Sequence, residues 1–247
     1  MKTAFCSDLD NTLIYSHRKI INQDKVTAEL LNGREQSYMT KFTYDLIRDN
    51  SRIDLIPVTM RTKEQYERIF VLNDICSIAV VCGGGSLIIN GAVDEDWEAD
   101  TMKIAGSEND AISDALKLIT RIKNKDEIQN VAPYMFYFKS NSTALDADFI
   151  RKNSDTEKIK ISYDDRKVYC IAKSINKGQA VIRLREKYNF EHIIAAGDSE
   201  FDIPMLEEAS AALVHEKIFN NVKNERKHIL KGEMISNQVC MLIKQLI

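Results

Sequence analysis

Short apolar segments alternate with helix-forming segments at both ends of this chain, and this order restricts the fold more than any other feature of the sequence. The first apolar run, Thr3 to Ser7, ends at an acidic loop, and similar runs follow at Ile53 to Thr59 and Ile78 to Cys82. Near the other end, a predicted helix from Lys177 to Tyr188 precedes the apolar strand His192 to Ala196. Continuous apolar strands separated by helices are typical of a buried parallel sheet. The sequence therefore predicts an α/β fold with a doubly wound parallel sheet.

The middle of the chain has a different character. Predicted helices and strand-like segments follow one another with more antiparallel character, at Ser107 to Lys123, Ala132 to Lys139, Thr143 to Lys152 and Arg166 to Ala172. Since the alternation of strands and helices resumes afterwards, we expect this stretch to be an insertion. We predict a core of residues 1–86 and 174–247 with an inserted α+β domain of residues 87–173.

Two Asn-Gly pairs predict tight β-hairpins. Asn32-Gly33 lies within the segment Val26 to Met39, and Asn90-Gly91 lies within Ser86 to Val93. Both residue types tolerate the left-handed backbone conformation that a two-residue hairpin turn requires. We therefore expect one hairpin in each segment.

Two pairs of residues have the spacing of a helix capping box. Thr62 with Gln65 predicts the start of a helix that reaches about Leu72, and Ser107 with Asp110 predicts the start of the helix that reaches Lys123. In such a box the first side chain and the fourth satisfy two backbone N–H groups at the helix start.

Composition excludes several classes of partner. The chain has 247 residues and a formal net charge of −3, from 34 Lys and Arg against 37 Asp and Glu. No basic block favours nucleic acid, and no run approaches the roughly 18 apolar residues of a membrane span. The N-terminus turns acidic at Asp8, too early for a signal peptide. The five cysteines are scattered and the four histidines lack zinc-like spacing, so we expect a cytoplasmic protein with reduced thiols.

An acidic pair follows the first strand directly, in Asp8-Leu9-Asp10-Asn11-Thr12. In open parallel sheets, ligands bind beyond the carboxyl ends of the strands. Two neighbouring carboxylates repel one another unless a positive group lies between them, and a divalent metal ion would supply that charge. An ordinary acidic turn at a strand end is the competing interpretation.

A second acidic segment, Gly197-Asp198-Ser199-Glu200-Phe201-Asp202, follows the strand His192 to Ala196. It brings Asp198 to another strand end of the same sheet. Magnesium prefers oxygen ligands and retains several waters, and Asp8 with Asp198 could supply two such ligands. Asp202 has two open interpretations, a metal-site support and a cap for the helix that Pro204 opens.

Three further residues could bind an anion. Thr59 ends the second strand, and Arg61 follows closely with a guanidinium suited to bidentate contacts. Lys177 stands at a predicted helix start, where a positive charge is unfavourable and a nearby anion would compensate it. Each also has a plain structural interpretation: threonine is common in strands, and Arg61 and Lys177 could lie at the surface.

The order of these motifs resembles the haloacid dehalogenase superfamily. Four motifs occur in the same order as in that superfamily, and the likeness covers nearly the whole chain. They are Asp-x-Asp-x-Thr from Asp8, Thr59 at a strand end, Lys177 at a helix start and Gly-Asp-x-x-x-Asp from Gly197. The insertion between Thr59 and Lys177 resembles members with a C2 cap, the Cof-like and sucrose-phosphate phosphatase-like groups of type IIB. The resemblance implies a Rossmann-like core with a C2 cap and a phosphatase acting on a small phosphorylated metabolite.

The resemblance also implies a role for each matched residue. Asp8 would attack phosphorus and form an aspartyl-phosphate, and Asp10 would protonate the leaving alcohol and then activate water. Thr59 and Lys177 would hold the phosphoryl oxygens, with Arg61 as a further phosphate contact. Mg²⁺ would bind Asp8, the backbone carbonyl of Asp10, and Asp198. Around the metal, the supporting residues would be Thr12, Ser199 and Asp202.

The chain departs from its relatives in three places. Ser199 and Phe201 stand where many C2-capped relatives carry amides, and Met60 precedes Arg61 where glycine is common. The stretch from His17 to Met39 is longer than in typical Cof-like proteins, and it could form a flap or an oligomer contact. We expect residues of the cap to close over the cleft and discriminate substrates. Its strand Tyr134 to Lys139 has two alternating faces, one with Tyr134, Phe136 and Phe138 and one with Met135, Tyr137 and Lys139. In the competing interpretation the more apolar face packs beneath the cap helices and the other face is solvated.

Two other functions share parts of this pattern. A phosphomutase, as some C2-capped relatives are, would return the phosphoryl group to a sugar instead of water. A signalling receiver also combines acidic residues, threonine and lysine on a parallel sheet, but receivers are about half this length and lack an inserted cap. Neither the substrate nor the oligomeric state follows from the sequence.

Overall fold

The computed structural model describes residues 2–49, 54–123, 125–164 and 166–246. The chain forms two compact units, one of Met1–Asp94 with Lys177–Ile247 and one of Glu95–Asn176. The compact units thus divide a few residues later than the predicted limits 87 and 173. Whether residues 87–173 form a separate domain stays a prediction, because compactness alone does not define independent folding.

The strands and helices are numbered in chain order. The strands are β1 (Thr3–Ser7), β2 (Tyr15–Ser16), β3 (Lys25–Leu31), β4 (Arg34–Thr40), β5 (Asp54–Pro57), β6 (Ile78–Val81), β7 (Ser86–Ile89), β8 (Ala92–Val93), β9 (Lys125–Ala132), β10 (Met135–Ser140), β11 (Ile159–Tyr163), β12 (Lys167–Ala172), β13 (His192–Gly197), β14 (Ala211–His215) and β15 (Lys227–Leu230). The helices are α1 (Lys41–Asp49), α2 (Lys63–Glu67), α3 (Phe70–Asn73), α4 (Glu95–Ala105), α5 (Asn109–Leu118), α6 (Thr143–Asn153), α7 (Lys177–Tyr188), α8 (Ile203–Glu208) and α9 (Ser236–Leu246).

The predicted parallel sheet is confirmed in the first unit. Within the described residues its order is β15-β14-β13-β1-β5, and all neighbours are parallel. An isolated parallel bridge from Val58 to Val80 brings β6 beside β5. The second strand was predicted from Ile53 to Thr59 and is observed at Asp54–Pro57, with Ile53 outside the described residues. Because β1 lies between β5 and β13, the residues that follow these three strands are neighbours.

Both Asn-Gly hairpins are confirmed. Asn32 and Gly33 have φ of 52° and 73° between β3 and β4, and Asn90 and Gly91 have φ of 49° and 80° between β7 and β8. Positive φ at both turn residues matches the right-handed twist of the flanking strands. The first hairpin extends to a third strand, since β4 also pairs with β2.

The register of the first hairpin is displaced at one point. Lys25 pairs with Thr40 and Thr27 with Tyr38, as a two-residue turn requires, but the next pair is Glu29 with Ser37. Beyond it, Leu30 pairs with Glu35 and the original register returns. Each strand therefore has one residue left out of the pairing next to Glu29 and Ser37. These residues are Ala28 on β3 and Gln36 on β4. Such bulges change the direction in which a strand side chain points.

The two capping-box predictions had opposite outcomes. Thr62 and Gln65 form a complete box at the start of α2. That helix ends at Glu67, because Ile69 leaves the helical region with ψ of 72° before α3 begins. The box predicted for Ser107 is wrong, since α5 begins at Asn109 after a turn that follows α4. No helix among the described residues is long and apolar enough to cross a membrane.

The second unit contains an antiparallel sheet, order β11-β12-β10-β9, with α5 and α6 packed on one face. Phe136 and Phe138 of β10 are fully buried with Val168 and Cys170 of β12 in a core that includes residues of α5 and α6. The expectation that this face packs beneath the cap helices is confirmed, but the other face is not solvated, since Met135 and Tyr137 are also buried. Helix α4, which begins with the acidic residues Glu95 and Asp96, was missed.

Candidate active site

Three neighbouring strand ends bring the predicted residues of the site together. Asp8 follows β1, Thr59 lies two residues beyond β5, and Asp198 follows β13. Backbone bonds continue the sheet to this edge, because Asp8 N donates to Ala196 O at 3.0 Å and Val58 N donates to Ser7 O at 2.8 Å. Asp8 and Thr59 are buried with 7% and 1% exposure. Strand backbone therefore positions this edge of the site.

The turn after β1 separates the two carboxylates of the acidic pair. Leu9 and Leu13 are fully buried, and Leu9 O accepts bonds from three following N–H groups. Asn11 takes the left-handed conformation with φ of 65°, which asparagine tolerates better than most residues. The turn leaves Asp8 buried, while the side chain of Asp10 remains 52% exposed.

Lys177 is the positive group that the acidic cluster requires. Its Nζ lies 2.6 Å from Asp8 Oδ1 and 2.6 Å from Asp202 Oδ1, and its side chain is 2% exposed. Burial alone would lower the pKa of the ammonium, but the carboxylates of Asp202 and Asp8 outweigh it and raise the pKa. The lysine is therefore charged, and the prediction of an anion beside this helix start is confirmed.

Gly178 and Gly197 allow the close packing that places Lys177 and Asp202 in the site. A Cβ on Gly178 would stand 2.7 Å from Pro204 O, so glycine is needed where α7 meets the start of α8. A Cβ on Gly197 would stand 2.3 Å from the Cβ of Asp202. Because real side chains do not approach so closely, both positions require glycine for the observed placement of Lys177 and Asp202.

Asp202 supports the turn after β13. Its Oδ2 accepts bonds from the backbone N of Asp198 at 3.1 Å and from the N and Oγ of Ser199, each at 2.9 Å. It occupies the N-cap position of α8, but within the described part of the chain its carboxylate makes no cap bond to that helix. The capping interpretation is therefore wrong, since the carboxylate bonds to the preceding turn and to Lys177.

The described residues contain one acidic group able to hold a metal ion. Asp8, Asp198 and Asp202 each place a carboxylate oxygen within 4.8 Å of the others. Burial raises the pKa of Asp8 well above its ordinary value, although Lys177 opposes the shift, and burial raises the pKa of Asp198 to about 7. Thr12 Oγ1 lies 3.3 Å from Asp198 Oδ1 and 3.5 Å from Asp8 Oδ2. This donor set consists of oxygen only and fits a hard divalent cation.

Asp202 is engaged by more groups of the protein than Asp8 or Asp198. Its Oδ1 pairs with Lys177, and its Oδ2 accepts three hydrogen bonds from the turn after β13. A carboxylate so engaged is suited to support a metal site from outside.

The guanidinium of Arg61 binds two carboxylates of the protein, those of Asp10 and Glu29. Its Nε lies 2.8 Å from Asp10 Oδ2 and its Nη2 lies 2.8 Å from Asp10 Oδ1, which is a bidentate pair. Its Nη1 lies 2.9 Å from Glu29 Oε2. Its backbone N donates to Thr59 Oγ1 at 3.2 Å. The predicted contacts of Arg61 and Thr59 with a phosphate group stay predictions.

Glu29 was missed in the sequence. It lies in the stretch His17 to Met39, which was predicted to be a flap or a contact surface without any site residue. A single glutamate in a polar hairpin gives no sign of burial, and the register displacement that turns it inward follows no readable pattern. Residues that pair with it, such as Arg68, were missed for the same reason.

Known proteins show the same fold and family. The sequence profile of the haloacid dehalogenase-like hydrolases matches residues 55–233, more than half of the chain. A search of curated proteins gave no match. The sucrose-phosphatase of Synechocystis sp. PCC6803, solved with sucrose and phosphate, aligns with TM-score 0.68 and 12% identity over 99% of this chain and 98% of that one.

Two further solved structures agree with this result. BT4131, described as a subclass IIB sugar phosphatase of the superfamily, aligns with TM-score 0.65 and 12% identity over 100% of this chain and 99% of its own. The phosphatase BT1666 of Bacteroides thetaiotaomicron aligns with TM-score 0.63 and 11% identity over 99% and 95%. At these identities the structures establish the fold, while the profile establishes the family. The chain belongs to the haloacid dehalogenase-like hydrolases.

Proposed function

We propose that this protein is a magnesium-dependent phosphatase that hydrolyses a small phosphate monoester, such as a sugar phosphate, through an aspartyl-phosphate. The observation that carries the proposal is the buried Asp8 carboxylate, 2.6 Å from the ammonium of Lys177 and beside Asp198 in an acidic cluster. Phosphoryl transfer depends mainly on positioning and on neutralising charge. The described activities of the sucrose and sugar phosphatases with this fold support the substrate class.

In the first step, a carboxylate oxygen of Asp8 attacks phosphorus and the bond to the leaving oxygen breaks. Asp10 donates its proton to that oxygen, so an alcohol departs and Asp8 carries the phosphoryl group. In the second step, Asp10 takes a proton from water, whose oxygen attacks phosphorus. The bond from phosphorus to Asp8 then breaks, inorganic phosphate leaves, and both aspartates return to their starting states.

The remaining residues hold the reacting groups. Thr59 and Lys177 bind phosphoryl oxygens, and Lys177 keeps positive charge beside Asp8. Asp8, Asp198 and the backbone carbonyl of Asp10 would hold Mg²⁺, and Thr12, Ser199 and Asp202 would fix these ligands. When bound, the ion supplies positive charge that neutralises the transferring phosphoryl group.

We also propose a cytoplasmic location. All five cysteines are free and buried, and burial raises the pKa of Cys6 and Cys76 to about 12. Protonated buried thiols suit a reducing compartment, where disulfides are rare.

A screen of phosphate esters tests the function. Sugar phosphates, nucleotides and phospho-acids are each incubated with Mg²⁺ and the protein, and free phosphate is measured together with any isomeric phosphosugar. We expect release of phosphate from at least one small monoester. An isomeric phosphosugar without free phosphate would indicate a phosphomutase, and no turnover of any ester would contradict the proposal.

A further inference from the structure

Glu29 is a buried carboxylate that none of the proposed catalytic steps uses. It lies on β3 of the hairpin, and its side chain is 4% exposed. Oε2 accepts a bond from Arg61 Nη1 at 2.9 Å, and Oε1 accepts one from Arg68 Nε at 2.9 Å. Ser37 Oγ, on the paired strand, lies 3.3 Å from Oε2. Burying a carboxylate is costly unless it is paired and hydrogen-bonded, so this position calls for a reason.

The backbone around Glu29 is irregular, and its side chain points into the protein. Strict alternation along β3 would place Ala28 and Glu29 on opposite faces, yet both are buried. The displaced register around the pair of Glu29 and Ser37 accounts for this, because the extra residue Ala28 changes the side-chain direction. Bulges of this kind are frequent beside active sites. The register is the same before and after the displacement, so the irregularity is confined to the pair of Glu29 and Ser37.

Arg61 links Glu29 to Asp10. One edge of its guanidinium, Nη1, donates to Glu29 Oε2 at 2.9 Å and to Gln65 O at 3.2 Å. The other edge, Nε and Nη2, forms the bidentate pair with Asp10. At least four of its five N–H groups are thus engaged within the chain. Because a guanidinium is planar and rigid, fixing one edge also fixes the direction of the other.

We propose that Glu29 is a positioning residue that acts on Asp10 through Arg61. This inference rests on the proposed function, in which Asp10 is the acid and base. The bidentate pair with Arg61 sets the orientation of the Asp10 carboxyl group. Glu29 holds the opposite edge of the guanidinium, so its loss frees Arg61 to turn and Asp10 loses its fixed orientation.

The choice of leaving group separates this role from a purely structural one. The alkoxide of a sugar phosphate needs protonation, whereas the nitrophenolate of p-nitrophenyl phosphate departs without it. General acid catalysis contributes about 10²–10⁴-fold to rate. Loss of acid positioning therefore lowers kcat/KM for the alkyl ester more than for the aryl ester, while general damage to the site lowers both equally.

The experiment compares Glu29→Gln with Glu35→Gln in the full chain. Glu35 lies on the same hairpin, where it pairs with Lys25, and serves as the matched control. For Glu29→Gln we expect the ratio of alkyl to aryl kcat/KM to fall about 10-fold or more, within the range of acid catalysis. For Glu35→Gln we expect the wild-type ratio. In an Asp10→Asn background, Glu29→Gln should add little, because both changes act on one group.

Each other outcome overturns a stated claim. An active wild type whose ratio is unchanged by Glu29→Gln, or effects that add fully to Asp10→Asn, would overturn the inference and leave the function intact. A wild type without phosphatase activity on any ester would overturn the function and this inference together. If Glu29→Gln does not fold, Glu29→Asp retains the buried charge but withdraws it from Arg61, and the same fall in ratio is expected.

Discussion

The backbone of Gly197 lies directly against the side chain of Asp202, so that a Cβ on the glycine would stand 2.3 Å from the Cβ and 2.6 Å from the Cγ of the aspartate. This contact lets Oδ2 of Asp202 reach back to the N–H groups of Asp198 and Ser199. The glycine at the strand end and the aspartate five residues later are therefore one structural unit.

Substituting Gly197 with alanine should disturb the site and the fold together. Since Asp202 is fully buried, it has little room to move, and overpacking typically costs about 1–3 kcal/mol and occasionally more. We expect Gly197→Ala to lower the thermal midpoint and remove activity. Gly106→Ala, whose Cβ would approach no closer than 3.3 Å to a neighbour, should lose much less stability. Equal midpoints for the two variants would contradict the prediction.

Replacing the nucleophile should remove activity without unfolding the protein. In Asp8→Asn, Lys177 keeps its second partner Asp202 at 2.6 Å, and repulsion within the acidic cluster decreases. We therefore expect the free energy of unfolding to change by less than about 2 kcal/mol and Mg²⁺-dependent phosphatase activity to disappear. Asp54→Asn, at the opposite end of the sheet, should retain activity. Turnover by Asp8→Asn near the wild-type rate would refute the nucleophile role.

Removing the buried ammonium should be more damaging at neutral pH than at acidic pH. Lys177→Met leaves Asp8 and Asp202 buried without their cation, which typically costs about 3–5 kcal/mol. Burial raises the pKa of Asp8 well above its ordinary value, so this carboxylate takes up a proton as the pH falls and part of the loss should be recovered. Chemical denaturation at pH 5 and pH 7.5 measures this. Lys187→Met on the same helix, which breaks a partly exposed pair with Asp94, should cost about 1 kcal/mol or less at both pH values.

The metal-free protein should become less stable as pH rises toward neutrality. Burial raises the pKa of Asp198 from its ordinary 3.8 to about 7, so between these values the folded state binds more protons than the unfolded chain. Stability linked to this group is therefore present below 3.8 and lost as pH rises through about 7. Asp198→Asn should flatten this decline in denaturation measured across the interval. An identical decline in the variant would assign the effect to other groups.

Magnesium should reverse that loss and restore activity. A cation between Asp8 and Asp198 favours their charged forms, which burial above all disfavours, so it binds the folded state and stabilises it. We expect EDTA to abolish activity, added Mg²⁺ to restore it, and the thermal midpoint to rise with Mg²⁺ in the wild type but not in Asp198→Asn. Full activity in a metal-free preparation would contradict the proposed cofactor.

The features that were predicted correctly from the sequence each depend on the conformation of one short segment. The apolar run of β1 followed by Asp8 predicts a buried strand with a carboxylate at its end, because parallel strands are buried on both faces. Asn32-Gly33 specifies its turn through backbone sterics alone. The lysine at the start of α7 indicates a neighbouring anion, because its charge opposes the helix dipole.

The parts that were missed depend on contacts between distant segments. The pairing of Glu29 with Arg61 joins residues 32 positions apart, and the displacement that aims Glu29 arises from the pairing of two strands. The match of Ser107 and Asp110 to a capping box failed because the pattern is short and also occurs in turns. Asp202 likewise has the residue type and position of a cap, but a buried lysine and a preceding turn take its oxygens.

The displaced pair of Glu29 and Ser37 separates the tip of the hairpin from its base, and we expect the tip to tolerate changes in length that the base does not. The displacement at Glu29 and Ser37 is cancelled within one further pair, so Leu30 and Leu31 align with Glu35 and Arg34 as in an undisturbed ribbon. The register is therefore the same on both sides of Glu29, and the displacement is confined to that one pair. We expect an insertion or a peptide tag at Asn32-Gly33 to leave the contact between Glu29 and Arg61 unchanged. The tip of the hairpin is therefore where related proteins could differ in length without loss of activity.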